Sequence, residues 1–123
     1  MPVFSASDAV LFDTHGSRFA AYVAPSRGSR QLCGWRLDVP PGLAGAPHRP
    51  SREEILLVLS GGLAVTLDGE RSQVTAGDVV LVPAGTELQV DGGPEGAALW
   101  VTTTPGLEAR LADGSTLRPP WAR

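Results

Sequence analysis

The chain has 123 residues, 42% apolar and 19% charged, with a net charge of −3 and a mean hydropathy near zero. That length is enough to bury one core but not two. There is no basic block of the kind a nucleic-acid binder displays, and no apolar run reaches the roughly eighteen residues of a membrane span.

Fifteen glycines and eleven prolines stay below the level of about 25–30% that marks low complexity. Short strands joined by Gly/Pro turns account for them. All ten basic side chains are arginines, scattered from Arg18 to Arg123. The single cysteine, Cys33, excludes an intramolecular disulfide and suits a reducing compartment. The N-terminus has no basic stretch followed by an apolar core, so the expected location is the cytoplasm.

Residues 1–13 carry a weak signal. Ser5-Ala-Ser-Asp8 fits the cap of a short helix, and the segment fits an edge strand as well. Asp13-Thr14-His15-Gly16 reads as a turn, which makes His15 a solvated turn residue. Arg18 to Val23 is a strand closed by Pro25-Ser-Arg-Gly28. Gln31 to Val39 alternates, with Cys33, Trp35, Leu37 and Val39 on one face and Gly34, Arg36 and Asp38 on the other. Pro40-Pro41-Gly42 ends it. A Gly/Pro-rich loop then delivers His48, and six residues later Glu54 opens the apolar run Ile55–Leu59, which stops at Ser60-Gly61-Gly62. Ser51-Arg-Glu-Glu54 also matches a helix capping box. The run is too short for an isolated helix and carries β-branched Ile55 and Val58, so a strand is expected.

Leu63, Val65 and Leu67 alternate up to Asp68-Gly69, a strong hairpin signal, and Arg71 to Thr75 returns. Ala76-Gly77-Asp78 turns, Val79–Val82 is an apolar strand, and Pro83-Ala84-Gly85 turns again. Thr86, Leu88 and Val90 share a face opposite Glu87 and Gln89, up to a loop over Asp91–Gly96. Ala97 to Thr103 is a further strand around Trp100. In the tail, Asp113-Gly114 joins Leu107–Ala112 to Ser115–Leu117, ahead of Pro119-Pro120-Trp121. Eight to ten strands with turns every eight to twelve residues predict an all-β sandwich or barrel. Trp35, Trp100 and Phe19 are expected in the core. Trp121 needs burial in the barrel mouth or against a partner subunit.

These residues resemble the cupin family. Its first motif is Gly, five residues, His-x-His, three or four residues, Glu, six residues, Gly; Gly42, His48, Glu54 and Gly61 fall on it. Its second is Gly, five residues, Pro-x-Gly, two residues, His, three residues, Asn; Gly77, Pro83 and Gly85 match. The resemblance implies one cupin domain over residues 1–123, a double-sheet jelly-roll β-barrel. Motif 1 lies at 42–61, motif 2 at 77–92, and a C-terminal hairpin and tail at 105–123.

The metal set that goes with the family, three His and one Glu, is incomplete here. His48 and Glu54 remain, Pro50 and Leu88 stand where the other histidines belong, and Gly92 replaces the Asn. Glu53, Glu87 and Gln89 have the wrong strand parity to substitute. A divalent transition metal, if bound at all, would be held weakly by His48 and Glu54. The leading expectation is a small-molecule binding protein, its pocket lined by Arg36, Leu88 and Trp100 beside His48 and Glu54. One alternative is an enzyme of isomerase, cyclase or oxygenase type using His48 and Glu54 for acid/base chemistry. Another is a structural or regulatory module whose vestigial site leaves His48 hydrogen-bonded to Glu54. The resemblance also implies a homodimer, while the scattered charge and the lack of a long apolar run argue against nucleic acid or membrane as partner.

Overall fold

Positive-φ turns and alternating apolar residues divide the chain into ten strands, described for residues 2–123 by a computed structural model. They are β1 (Val10–Thr14), β2 (Ser17–Val23), β3 (Cys33–Val39), β4 (His48–Pro50), β5 (Glu54–Leu67), β6 (Glu70–Thr75), β7 (Val79–Val82), β8 (Leu88–Thr103), β9 (Ala109–Leu111) and β10 (Thr116–Leu117). Short 3-10 turns at Ala6–Asp8, Pro25–Arg27 and Pro120–Ala122 complete the regular structure. Ser5 and Asp8 close the first of these as a capping box, and β1 follows it, so both expectations for this segment apply in sequence. Two-residue turns at His15-Gly16 and Asp68-Gly69 take positive φ at both positions, the mirror-image geometry that matches strand twist.

The fold is an antiparallel jelly-roll barrel whose spine is the pairing of β5 with β8, from Ile55↔Thr102 to Leu67↔Leu88. Each long strand serves both sheets. The C-terminal half of β8 carries β3, β2 and β1 on one side, while the start of β5 carries β7. The other halves carry β6 beyond β5, and β4, β9 and β10 beyond β8.

Two expected interruptions prove to be bends within these strands. Ser60-Gly61-Gly62 lies inside β5, and Asp91–Gly96 lies inside β8 rather than forming a loop. The pairing shifts register at Val58/Ser60 and Gly61/Leu63, as bulges do when they bend and twist a strand. Gly61 has φ +74°, and a Cβ there would overlap the Gly96 carbonyl oxygen. The glycines mark a close crossing of two backbones, not a strand end.

Alternation sets the core. Leu56, Val58, Leu63, Val65, Val82, Leu88, Leu99 and Val101 face inward and are buried. The tail joins them. β9 pairs with β4 through Pro50↔Ala109, which docks the C-terminal hairpin on the barrel. Trp121 is 5% exposed, stacked on Phe19 at 3.8 Å between ring centroids and 13° between planes. Phe12 and Trp35 meet it at an angle, with centroids 6.2 and 6.5 Å away. Ser26 N–H donates to the Arg123 carbonyl (3.1 Å), and the Cys33 thiol to that of Ala122 (3.5 Å). The ring is therefore buried in its own barrel. Trp121→Ala is expected to lower stability by about 3–5 kcal/mol, and truncation after Leu117 to lower the melting temperature likewise. A truncated chain that melts with the full-length protein at equal concentration would contradict this docking.

Candidate functional site

Between the two sheets lies a cavity of about 130 Å³. Its lining is mostly aliphatic and aromatic, with Leu56, Leu88, Val90, Leu99, Val101, Phe19, Trp35 and Trp121 among the contributors. The polar lining comes from His48, Glu54, His15, Thr14 and Ser17.

His48 begins β4, paired with Leu88 on one side and Leu111 on the other. The loop that leads into it is fastened along β8. Gly92 N–H donates to the Leu43 carbonyl (2.8 Å), and Gly45 N–H donates to Asp91 Oδ1 (2.9 Å). Gln89 Nε2 donates to the Gly45 carbonyl (3.2 Å). A Cβ on Gly45 would overlap the Val90 carbonyl oxygen, so only glycine lets the loop lie this close. Asp91 also accepts from Arg71 (2.8 Å). The Gly45 N–H first, and then Arg71, hold its carboxyl below the usual carboxylate range. Asp91 thus positions the histidine loop, a role hidden in the sequence because residues 91–96 read as a loop.

Glu54, the first residue of β5, is 5% exposed, and among the described residues no hydrogen-bond partner meets its carboxyl. Burial alone pushes its pKa up to about 7. His48 does not bond to it. The imidazole Nδ1 sits 3.1 Å from the Ala46 carbonyl, which assigns the proton to Nδ1 and leaves Nε2 as an acceptor. Burial lowers the His48 pKa, the Ala46 carbonyl raises it, and His15 lowers it further. His15 occupies the β1–β2 turn, exposed as expected, yet it lines the cavity. Nothing in the sequence around it signalled that placement.

Of the residues singled out from sequence, His48, Glu54 and Leu88 share the cavity, while Arg36 and Trp100 lie outside it. Strand parity is the reason. Trp35 points inward, so Arg36 points outward, where it pairs with Asp38 (3.1 Å). Trp100 is opposite Arg36 on β8. Its ring covers Gly34 on the outer surface and lies 5.5 Å from that of Tyr22. Trp35 is both core and cavity wall, and its Nε1–H is buried with no partner. Such an unpaired donor costs about 1–3 kcal/mol.

The donor set does not fit a firmly held transition metal. Pro50 and Leu88 present apolar atoms to the cavity, and among the described residues no group of three or more His, Cys, Asp or Glu side chains is placed to bind an ion. Catalytic zinc sites use three protein ligands. What the arrangement can do is offer a carboxyl titrating near neutrality and a neutral imidazole beside an apolar chamber.

The family described as Cupin domain matches residues 35–102. The protein named Endoribonuclease YbeY from Myxococcus xanthus is 33% identical over 85 residues, 68% of this chain but only 29% of that protein. Among solved structures, the polyketide cyclase RemF from Streptomyces resistomycificus superposes with a TM-score of 0.75 at 18% identity, covering 87% of this chain and 83% of the cyclase. An RmlC-like cupin from Shewanella frigidimarina gives 0.72 at 23% identity, covering 84% and 90%. At these identities the two structures share the fold.

The buried carboxyl makes stability depend on pH. Because Glu54 titrates at about 7 when folded, against an ordinary 4.5, the folded chain keeps a proton that the unfolded chain releases. Its contribution is full below pH 4.5 and declines as pH rises towards 7, by roughly 3 kcal/mol at most. His48 acts in the opposite sense, since its lowered pKa removes stability as pH falls below the ordinary imidazole range. Glu54→Gln is therefore expected to be more stable than wild type at pH 8 and to lose the decline between pH 4.5 and 7. Urea unfolding across that window measures it, and an unchanged profile in the variant would assign the titration to another group.

Proposed function

The chain belongs to the cupin domain family, and from that membership we propose that its barrel cavity binds one small organic molecule. The supporting observation is a partly open, mostly apolar chamber lined by both His48 and Glu54, the usual make-up of a small-molecule site. The endoribonuclease named for the M. xanthus protein is not carried over. The match spans 29% of that protein, and among the described residues no arginine lines the cavity to receive a phosphate backbone.

Acid/base catalysis on the bound molecule is the second reading, and the Glu54 pKa of about 7 favours it. A carboxyl poised there can give a proton and take it back at neutral pH. The family's isomerase, cyclase and oxygenase activities supply the reaction types. A single buried thiol, Cys33, keeps the cytoplasm as the proposed location.

Ligand binding is expected to appear as a thermal shift. A compound at a hundred times its Kd adds about 2.7 kcal/mol to apparent stability, and Leu88→Trp, which fills the chamber, should abolish the shift. Retention of the shift in a folded Leu88→Trp protein would move the site elsewhere. Metal is expected well below one equivalent per chain in protein purified without additions. Pro50→His combined with Leu88→His should gain divalent affinity. Elemental analysis returning near one equivalent for wild type would reverse the reading of the donor set.

We further propose a homodimer, formed through the outer face of β5 and β7. Ile55 (44% exposed), Leu59 (44%), Val79 (60%) and Leu81 (54%) face outward there, with Ile55 paired to Leu81 and Leu57 set between Val79 and Trp100. A contiguous apolar patch beside an edge strand is a common site of association. Ile55→Asp with Leu81→Asp is expected to sediment as a folded monomer. An unchanged sedimentation coefficient would place the interface on another surface.

A further inference from the structure

A polar atom that opens onto the cavity without a protein partner shows what a ligand has to offer. Among the described residues, the buried side-chain atoms with neither partner nor open space are Ser29 Oγ and Trp35 Nε1. His48 Nε2 also lacks a protein partner, yet it is not shut in as they are. The half-buried imidazole lines the cavity, so Nε2 faces that space. Its chemistry is fixed from the other side of the ring. Nδ1 lies 3.1 Å from the Ala46 carbonyl, which can only accept, so Nδ1 carries the proton and Nε2 is an acceptor. The Gly45–Asp91 and Gly92–Leu43 hydrogen bonds hold the loop that carries this carbonyl. What the position lacks is a donor.

The rest of the polar wall favours neither sign of charge. Among the described residues its titratable groups are Glu54 on β5, His48 on β4 and His15 in the β1–β2 turn, and no arginine joins them. The carboxyl works against an anion, and the two imidazoles work against a cation. An anion seated at His48 would need a second proton on that ring, which burial and His15 both oppose. Burial also favours the uncharged form of Glu54. Thr14 and Ser17 add hydroxyls to the lining. A hydroxyl on the ligand suits this wall, because it donates to Nε2 and can still accept from a carboxyl or hydroxyl beside it. The volume of about 130 Å³ is close to the roughly 150 Å³ of an apolar cavity that holds benzene, which sets the apolar body at the size of one ring.

Resting on the reading that this cavity binds a small organic molecule, we infer that its ligand is a neutral alcohol or phenol of about one ring whose O–H donates to His48 Nε2. The apolar body lies against side chains such as Leu88, Leu99 and Val101. His48 is then a specificity-determining residue, whether or not the bound molecule reacts.

The test uses the full chain at pH 7, labelled with nitrogen-15 on the imidazoles and carbon-13 on the methyls. Phenol, toluene, anisole and benzoate are titrated separately. His15→Asn identifies the His48 resonances, and Asn-Gly is a favoured pair for a turn with positive φ at both positions. Phenol is expected to saturate and to move the His48 Nε2 resonance upfield as that nitrogen accepts. It should bind about tenfold more tightly than toluene, its isostere, or anisole, which keeps the oxygen without the donor. His48→Leu should bring phenol down to the affinity of toluene; if that variant fails to fold, the wild-type Nε2 resonance still decides. Anisole matching phenol, or phenol moving the Leu88 and Val101 methyls without moving Nε2, overturns the inference and leaves the cavity reading standing. Benzoate binding more tightly than phenol, with Nε2 taking up a proton, overturns it in favour of an acid. No probe moving any cavity methyl overturns both.

Discussion

The ladder between β5 and β8 is the constraint on which the rest of this structure depends. It runs from Ile55↔Thr102 to Leu67↔Leu88 and is bent at its middle. The bend passes each strand from one sheet to the other, so the two inner faces oppose each other and enclose a space between them. Glycine makes it possible at the crossing, where the Gly61 and Gly96 backbones leave no room for a Cβ. The same ladder fixes side-chain parity across both sheets, because a strand alternates strictly. Leu56, Val58, Leu99 and Val101 go in; Ile55, Leu57 and Trp100 go out. The cavity and the apolar outer patch are two consequences of one register.

That dependence explains what could be read in the sequence. Turn chemistry is local, so His15-Gly16, Asp68-Gly69 and Asp113-Gly114 were legible as turns. The motif residues His48 and Glu54 were legible through their spacing, and Leu88 through its place in the second motif. Bends are not local. A glycine that ends a strand and one that lets two strands cross look the same in sequence, and for that reason Ser60–Gly62 and Asp91–Gly96 read as interruptions. Arg36 and Trp100 show a different limit. The alternation from Cys33 to Val39 already placed Arg36 opposite Trp35, so a pocket containing Arg36 conflicted with the strand's own period. Trp100 sits directly across from Arg36 and shares its outward direction. His15 and Asp91 reach the site, or support it, through contacts between segments distant along the chain, which spacing does not report.

Two buried polar groups run against the stability of the fold. A buried carboxyl without a partner raises the free energy of the folded chain at neutral pH, and an unpaired indole N–H raises it further. Other side chains find partners. Buried Thr103 Oγ1 donates to the Glu53 carbonyl at 2.7 Å, and on the outer face Trp100 Nε1 donates to Thr102 Oγ1 at 3.1 Å. Natural proteins tend to break such local rules at functional sites.

The tail connects these considerations. Trp121 fills the barrel beside Phe19 and Trp35, and through those contacts it is at once a core residue and part of the cavity wall. Its ring is held from outside the sheets, by the Pro120–Ala122 turn and by hydrogen bonds that Cys33 and Ser26 donate to the last two carbonyls. A residue held in this way shapes the cavity while the tail is docked, and the aromatic cluster adds to the β4–β9 pairing that docks it. Anything that packs against the cluster from the cavity side must therefore stabilise the docked tail by the same free energy that the docked tail lends to its binding. A molecule packed against that cluster would be linked in free energy to the docked tail. Such a link would follow from the shared aromatic cluster alone.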